Sequence, residues 1–135
     1  MPVEPLPPVA AVVSFIDAVN RADLDRLAAL MHVDHRLVVL DEEPVVGRAA
    51  NIRAWHGYLS SFPSYVIHPR RIVGDGPRVA VLGTTTGSHL GLPDEEESRL
   101  AVIWLAEVES GTLLLWEVAD DTPGTRERAG IPDAV

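Results

Sequence analysis

Apolar residues recur at Val9, Val12, Val13, Ile16 and Val19, a spacing that lays them along one side of a helix running to Asn20. Pro8 suits the start of that helix, because its ring presets φ and its missing N–H is not needed there. Asn20-Arg21-Ala22-Asp23 interrupts the run, and Asp23 can cap a second helix whose stripe is Leu24, Leu27, Ala28 and Met31. The pattern then changes period. Arg36 to Leu40 is β-branched and reads as a strand, Asp41-Glu42-Glu43-Pro44 as a turn, and Val45-Val46 as a short return strand ending at Gly47. A third helix is expected from Arg48 to Ser61, with Ile52, Trp55 and Leu59 on one side and Phe62-Pro63-Ser64 as its stop. From Tyr65 the chain reads as sheet: Tyr65 to Val73, a turn at Gly74-Asp75-Gly76-Pro77, Arg78 to Ser88, then Leu100 to Val108 and Thr112 to Ala119 around Ser110-Gly111. Helices cluster early and strands late, which predicts the α+β class with an antiparallel sheet.

The last hairpin carries the most information. With Ser110-Gly111 as a two-residue turn, Glu109 opposes Thr112, Leu105 opposes Trp116 and Ile103 opposes Val118. Strict alternation then puts Ala101, Ile103, Leu105, Leu114, Trp116, Val118 and Asp120 on one face. It puts Leu100, Val102, Trp104, Ala106, Leu113, Leu115 and Ala119, with Glu117, on the other. Both faces are mostly apolar, whereas an antiparallel sheet usually has one wet side. Three helices cover one face. The expected cover for the other is a second copy of the chain, a homodimer built through Leu100, Val102, Trp104, Leu113 and Leu115.

Composition narrows the chemistry. The chain has 135 residues, 47% hydrophobic and 23% charged, which suits one globular domain. It has no cysteine, and all 11 basic residues are arginine, so thiolate nucleophiles, Cys-ligated metals, Schiff bases and a phosphate-loop lysine are excluded. A net charge of −9 disfavours nucleic acid and anionic membranes as partners. Residues 1–8, with four prolines and no basic region, read as an extended arm rather than a signal peptide. No apolar run approaches the roughly 20 residues of a membrane span, so a cytoplasmic location is expected. Residues 9–121 form the domain, and the polar, turn-rich 122–135 is expected to be a loose tail. The acidic run Asp94 to Glu97 reads as a solvated loop.

The stretch Val12 to Asp25, Gly47-Arg48 entering a helix, Phe62-Pro63-Ser64-Tyr65 and the terminal Gly111…Trp116…Asp120-Asp121 together resemble the SnoaL-like, ketosteroid-isomerase-like group of the nuclear-transport-factor-2-like superfamily. The resemblance covers residues 9 to 121. It implies a curved antiparallel sheet wrapped around the three helices as a cone, one deep apolar pocket at the open end, and frequent dimerisation. It does not carry the isomerase's catalytic set across. The helix-one tyrosine position falls on Phe15, the sheet-acid position near Ile103, and the base position at Leu40 or Asp41. Related epoxide hydrolases place an acid two residues after the last-strand tryptophan, and Val118 stands there.

Candidate site residues follow. Asp41 ends the first strand, where a partly desolvated carboxylate makes a general base; as a turn residue it would instead satisfy local backbone donors. Asp120 lies beyond Val118 on the inferred pocket face, so a raised pKa would suit it to moving a proton. His35 shares strand parity with Leu37, Val39 and Asp41 and is expected to look inward, roughly 20 Å from Asp41. His32 and His35 make a His-x-x-His with nothing nearby to complete a metal set, so no metal is expected. Phe15, Trp55, Tyr58, Phe62, Ile103, Leu105, Trp116 and Val118 would hold an apolar small molecule. Which face of the strand around Thr84 to His89 is inward stays open.

The expected function is small-molecule binding with cofactor-independent acid–base isomerisation, cyclisation or hydrolysis of an apolar carbonyl or epoxide. The alternative is a non-catalytic ligand-binding or dimerisation module of the same fold.

Overall fold

A computed structural model describes residues 5–131. Helix α1 spans Pro8–Asn20 and α2 spans Leu24–Leu30, with the Asp23 carboxylate accepting from the Arg26 N–H at 3.1 Å as its cap. Strand β1 (Met31–Val39) and β2 (Val45–Val46) form a short hairpin, and α3 (Arg48–Ser61) follows it. The buried Asn51 side chain binds this corner together, donating from Nδ2 to the carbonyl oxygens of His35 and Val45, each at 3.0 Å. Strands β3 (Val66–Asp75), β4 (Arg78–Thr86), β5 (Val102–Glu109) and β6 (Thr112–Asp120) complete one six-stranded sheet in the order β2-β1-β6-β5-β4-β3. All neighbours are antiparallel except β1 and β6, which run parallel. Two helices were not read from the sequence, α4 (Asp94–Glu97) and α5 (Pro123–Ala129).

The α+β cone holds. Its main core lies between the helices and one face of the sheet, around Phe15, Leu27, Met31, Trp104, Leu113 and Trp116. Among the described residues no helix is long and apolar enough to cross a membrane.

The β5–β6 hairpin corrects the expected faces. Its turn is as read, with Ser110 and Gly111 both at positive φ (50° and 82°) and Glu109 opposite Thr112. The pairing then slips: Val108 faces Leu113 but Glu107 faces Leu115, so Leu114 is a bulge residue. Beyond the bulge every partner moves by one, giving Ala106 opposite Trp116 and Trp104 opposite Val118. Trp116 thereby joins Trp104 in the core, their rings stacked with centroids 6.1 Å apart. Val102, Trp104 and Leu113, three of the five residues expected to meet a second copy, pack in the main core under the helices. Ile103 and Leu105 belong to the opposite face and leave the expected pocket list.

That opposite face is partly covered by the chain's own C-terminal region. Thr122 caps α5, accepting from the Thr125 N–H, Pro123 occupies its first turn, and Gly130 ends it at φ 70°. Ile131 then packs on Ala80 and Ile103. Arg126 binds Asp121 at 2.6 and 2.9 Å, and Arg128 binds Glu117 at 3.1 Å. The expected loose tail is therefore a docked helix through Ile131. Residues 1–4 of the expected arm, and 132–135, lie outside the described residues, and Pro8 already belongs to α1.

Candidate functional site

The cone opens into a hollow of about 480 Å³, within the usual range for small-ligand sites. Leu37 and Val39 of β1, Glu42 of the following turn and Val45 of β2 form one wall; Ala54, Trp55 and Tyr58 of α3 form another; Trp116 and Val118 of β6 form a third. Phe62, Tyr65 and His89 close the ring from the loops. Trp55 and Tyr58 are one helical turn apart and so share a face of α3. Phe15 lies beneath, fully buried, with its ring centroid 4.9 Å from Trp116 and 6.2 Å from Trp55. It is the floor under the walls and does not itself line the hollow.

Tyr58 is the hub. Its ring stands nearly perpendicular to Trp55 and Tyr65 and lies 4.9 Å from Phe62 between centroids. Its hydroxyl is 2.9 Å from His89 Nδ1 and accepts from the His89 backbone N–H at 3.3 Å. Burial raises the Tyr58 pKa above that of an ordinary phenol, and the Glu97 charge adds to the rise; the hydrogen bond from the His89 backbone opposes it. Burial also pushes Tyr65 up, with Tyr58 and Glu97 contributing. Both side chains are therefore neutral hydroxyl donors near neutral pH.

His89 is held by its neighbours. Gly87, at φ +70°, passes so close to the Ser64 carbonyl that a Cβ there would clash with it. Glu97 is the one buried residue of the acidic run. Its carboxylate accepts from the Thr85 hydroxyl at 2.5 Å and from the Ser88 N–H at 3.3 Å. The loop carrying His89 is thus tied to α4 through Glu97 and passes close against Ser64 of the α3–β3 connection.

The expected site residues separate. Trp55, Tyr58, Phe62, Trp116 and Val118 come together around the hollow. Asp41 does not line it: φ of +64° at that residue turns the chain, so strand parity ends before it and Glu42 takes the wall. Asp120 is on the inner side by register, opposite Val102, but is exposed at the strand end and outside the lining. His35 is fully buried beside Phe15, with Nδ1 2.7 Å from the Leu113 carbonyl oxygen, and does not reach the hollow. Burial lowers its pKa below the ordinary imidazole value. His32 sits 3.1 Å from Glu109, and among the described residues no group of three or more His, Asp or Glu gathers as a metal site would require.

Leu37, Val39, Val45, Tyr65, Glu42 and His89 were not among the expected lining. The shared parity of His35, Leu37 and Val39 was a usable signal for two of them. His89 gave no such signal: it lies beyond the end of β4 at Thr86 and past Gly87 at φ 70°, where strand alternation no longer applies. A second depression, about 710 Å³, lies on the outer face beside α5. Its charged side chains include Arg78 and Arg128, which pair with Glu107 at 3.8 Å and Glu117 at 3.1 Å.

Comparison with known proteins places the chain among relatives. The family model of the SnoaL-like domain matches residues 12–116. Among curated proteins none matches. A candidate polyketide cyclase from Sinorhizobium meliloti superposes with a TM-score of 0.69 at 22% identity, covering 82% of this chain and 94% of its own. TerC, crystallised with polyporic acid, gives 0.70 at 19% identity, covering 90% and 97%. An LEH-like epoxide hydrolase from M. tuberculosis gives 0.65 at 17% identity, covering 82% and 80%. At such identities the likeness is one of fold.

Proposed function

The chain belongs to the SnoaL-like domain family, and from that premise we propose that its hollow binds a flat, largely apolar carbonyl compound and moves a proton on it. The observation that carries this reading is the Tyr58–His89 pair, an acid and a base in hydrogen-bond contact at one end of an aromatic-walled cavity. In the tautomer with a proton on Nδ1, the Tyr58 oxygen accepts from both His89 donors. Its own proton is then free to reach a carbonyl oxygen, and His89 Nε2 keeps its lone pair as a base. His89 takes a proton from the carbon beside the carbonyl, and the electron pair moves onto the carbonyl oxygen, where the Tyr58 hydroxyl donates. Return of the proton to the same or another carbon gives exchange or isomerisation. The step uses side chains of this protein alone.

The test uses 2-tetralone, an aromatic ketone with exchangeable α-protons, followed by NMR in heavy water. The full chain accelerates deuterium uptake. His89→Ala lowers the acceleration roughly 100-fold or more, as loss of a positioned base does, and Tyr58→Phe lowers it without abolishing binding. A second reading, binding without chemistry, is favoured by one observation: among the described residues the one carboxylate lining the hollow, Glu42, is exposed. Binding of 2-tetralone with no exchange above the solvent rate selects that second reading.

A further inference from the structure

We infer that the hollow is built for a ligand whose flat apolar body carries a positively charged amine. This rests on the binding reading above and adds the ligand's charge to it. Five aromatic side chains contribute to the lining, Trp55, Tyr58, Phe62, Tyr65 and Trp116. The Tyr58 ring meets Trp55 at 85° and Tyr65 at 86°, with centroids 6.3 and 5.1 Å away, so the walls stand as a corner rather than a flat stack. Aromatic faces carry negative potential, and several of them around one space attract a cation.

The fixed charge points the same way. The chain has 11 arginines, yet none is among the lining residues of the hollow. The acidic side chain there is Glu42, in a turn where Asp41 and Glu43 are exposed on either side of it. The remaining titratable lining groups are Tyr58 and Tyr65, held neutral, and His89, which is hydrogen-bonded to Tyr58. A ligand bearing a carboxylate meets like charge at the mouth and no fixed cation inside. An ammonium meets Glu42 and an aromatic lining, and a chain of net charge −9 raises its local concentration.

The experiment compares three probes of one shape and different charge at pH 7: 2-naphthylmethylamine, 2-naphthylmethanol and 2-naphthoic acid. Calorimetry gives affinities, and the indole NMR signals of Trp55 and Trp116 locate binding. The amine binds about tenfold more tightly than the alcohol, the size of a carboxylate contact plus cation–π attraction at a partly exposed site, and the acid binds most weakly. Glu42→Gln cuts the amine-to-alcohol affinity ratio severalfold. Equal binding of amine and alcohol, or a ratio untouched by Glu42→Gln, overturns the charge assignment while leaving the hollow as a binding site. If no probe moves the Trp55 and Trp116 signals, the binding reading fails and takes this inference with it.

Discussion

His35 sits with its Nδ1 2.7 Å from the Leu113 carbonyl, while Nε2 is buried and has no hydrogen-bond partner among the described residues. Desolvation is the main cause of its lowered pKa; the bond to Leu113 opposes it, and His32 adds to it. The folded protein therefore keeps this imidazole neutral, whereas the unfolded chain takes up a proton near the ordinary value of 6.5. Stability from this group is full above that value and is lost progressively as pH falls from it towards the lower folded value. Thermal melts between pH 7.5 and 5 should show a falling Tm, and His35→Gln, which keeps a donor for Leu113 but does not titrate, should flatten that fall. An acid limb identical in both proteins would remove His35 as its source. Residue identity alone was a partial guide at this strand. Parity correctly joined His35, Leu37 and Val39 on one side, but it could not foresee that a left-handed φ at Asp41 ends the alternation one residue early.

At the scale of elements, α4 shows how a short acidic run becomes structural. Four acidic residues in a row read as solvated, and three of them are exposed. Glu97 alone turns inward, where the Thr85 hydroxyl and the Ser88 N–H meet it. Glu97→Ala strands both donors and should destabilise the protein by about 1–3 kcal/mol in urea unfolding, with faster amide exchange concentrated at 87–90. A loss below a few tenths of a kcal/mol would mean that water replaces the carboxylate freely. The hairpin and helix boundaries were largely readable because turn and cap signals are local: Asp23, Gly47 and Ser110-Gly111 all act where expected. The β5–β6 register beyond the turn was not readable. A bulge at Leu114 leaves no mark in an apolar run of Leu113, Leu114 and Leu115, since any of the three can be the extra residue. Helix α5 was more accessible, because Thr122, Pro123 and Gly130 are a start and a stop at the right separation; the charged residues between them masked the signal.

The whole molecule is a sheet with two differently used sides. One carries the core and, at its open end, the aromatic hollow. The other carries the small cluster under Ile131 and a larger, charge-lined depression. Fold class and the location of the pocket walls on α3 and β6 followed from hydrophobic pattern together with family resemblance. The polar end of the hollow did not, because Tyr58 on α3 and His89 in the loop after β4 are 31 positions apart and meet only in the folded chain. The most direct test of this account is a set of intermolecular NOEs between bound 2-tetralone and the protein. The account expects contacts to Trp55, Tyr58, Trp116 and Val118; contacts instead to Leu105, Leu115 and Ala129 on the outer face would contradict it.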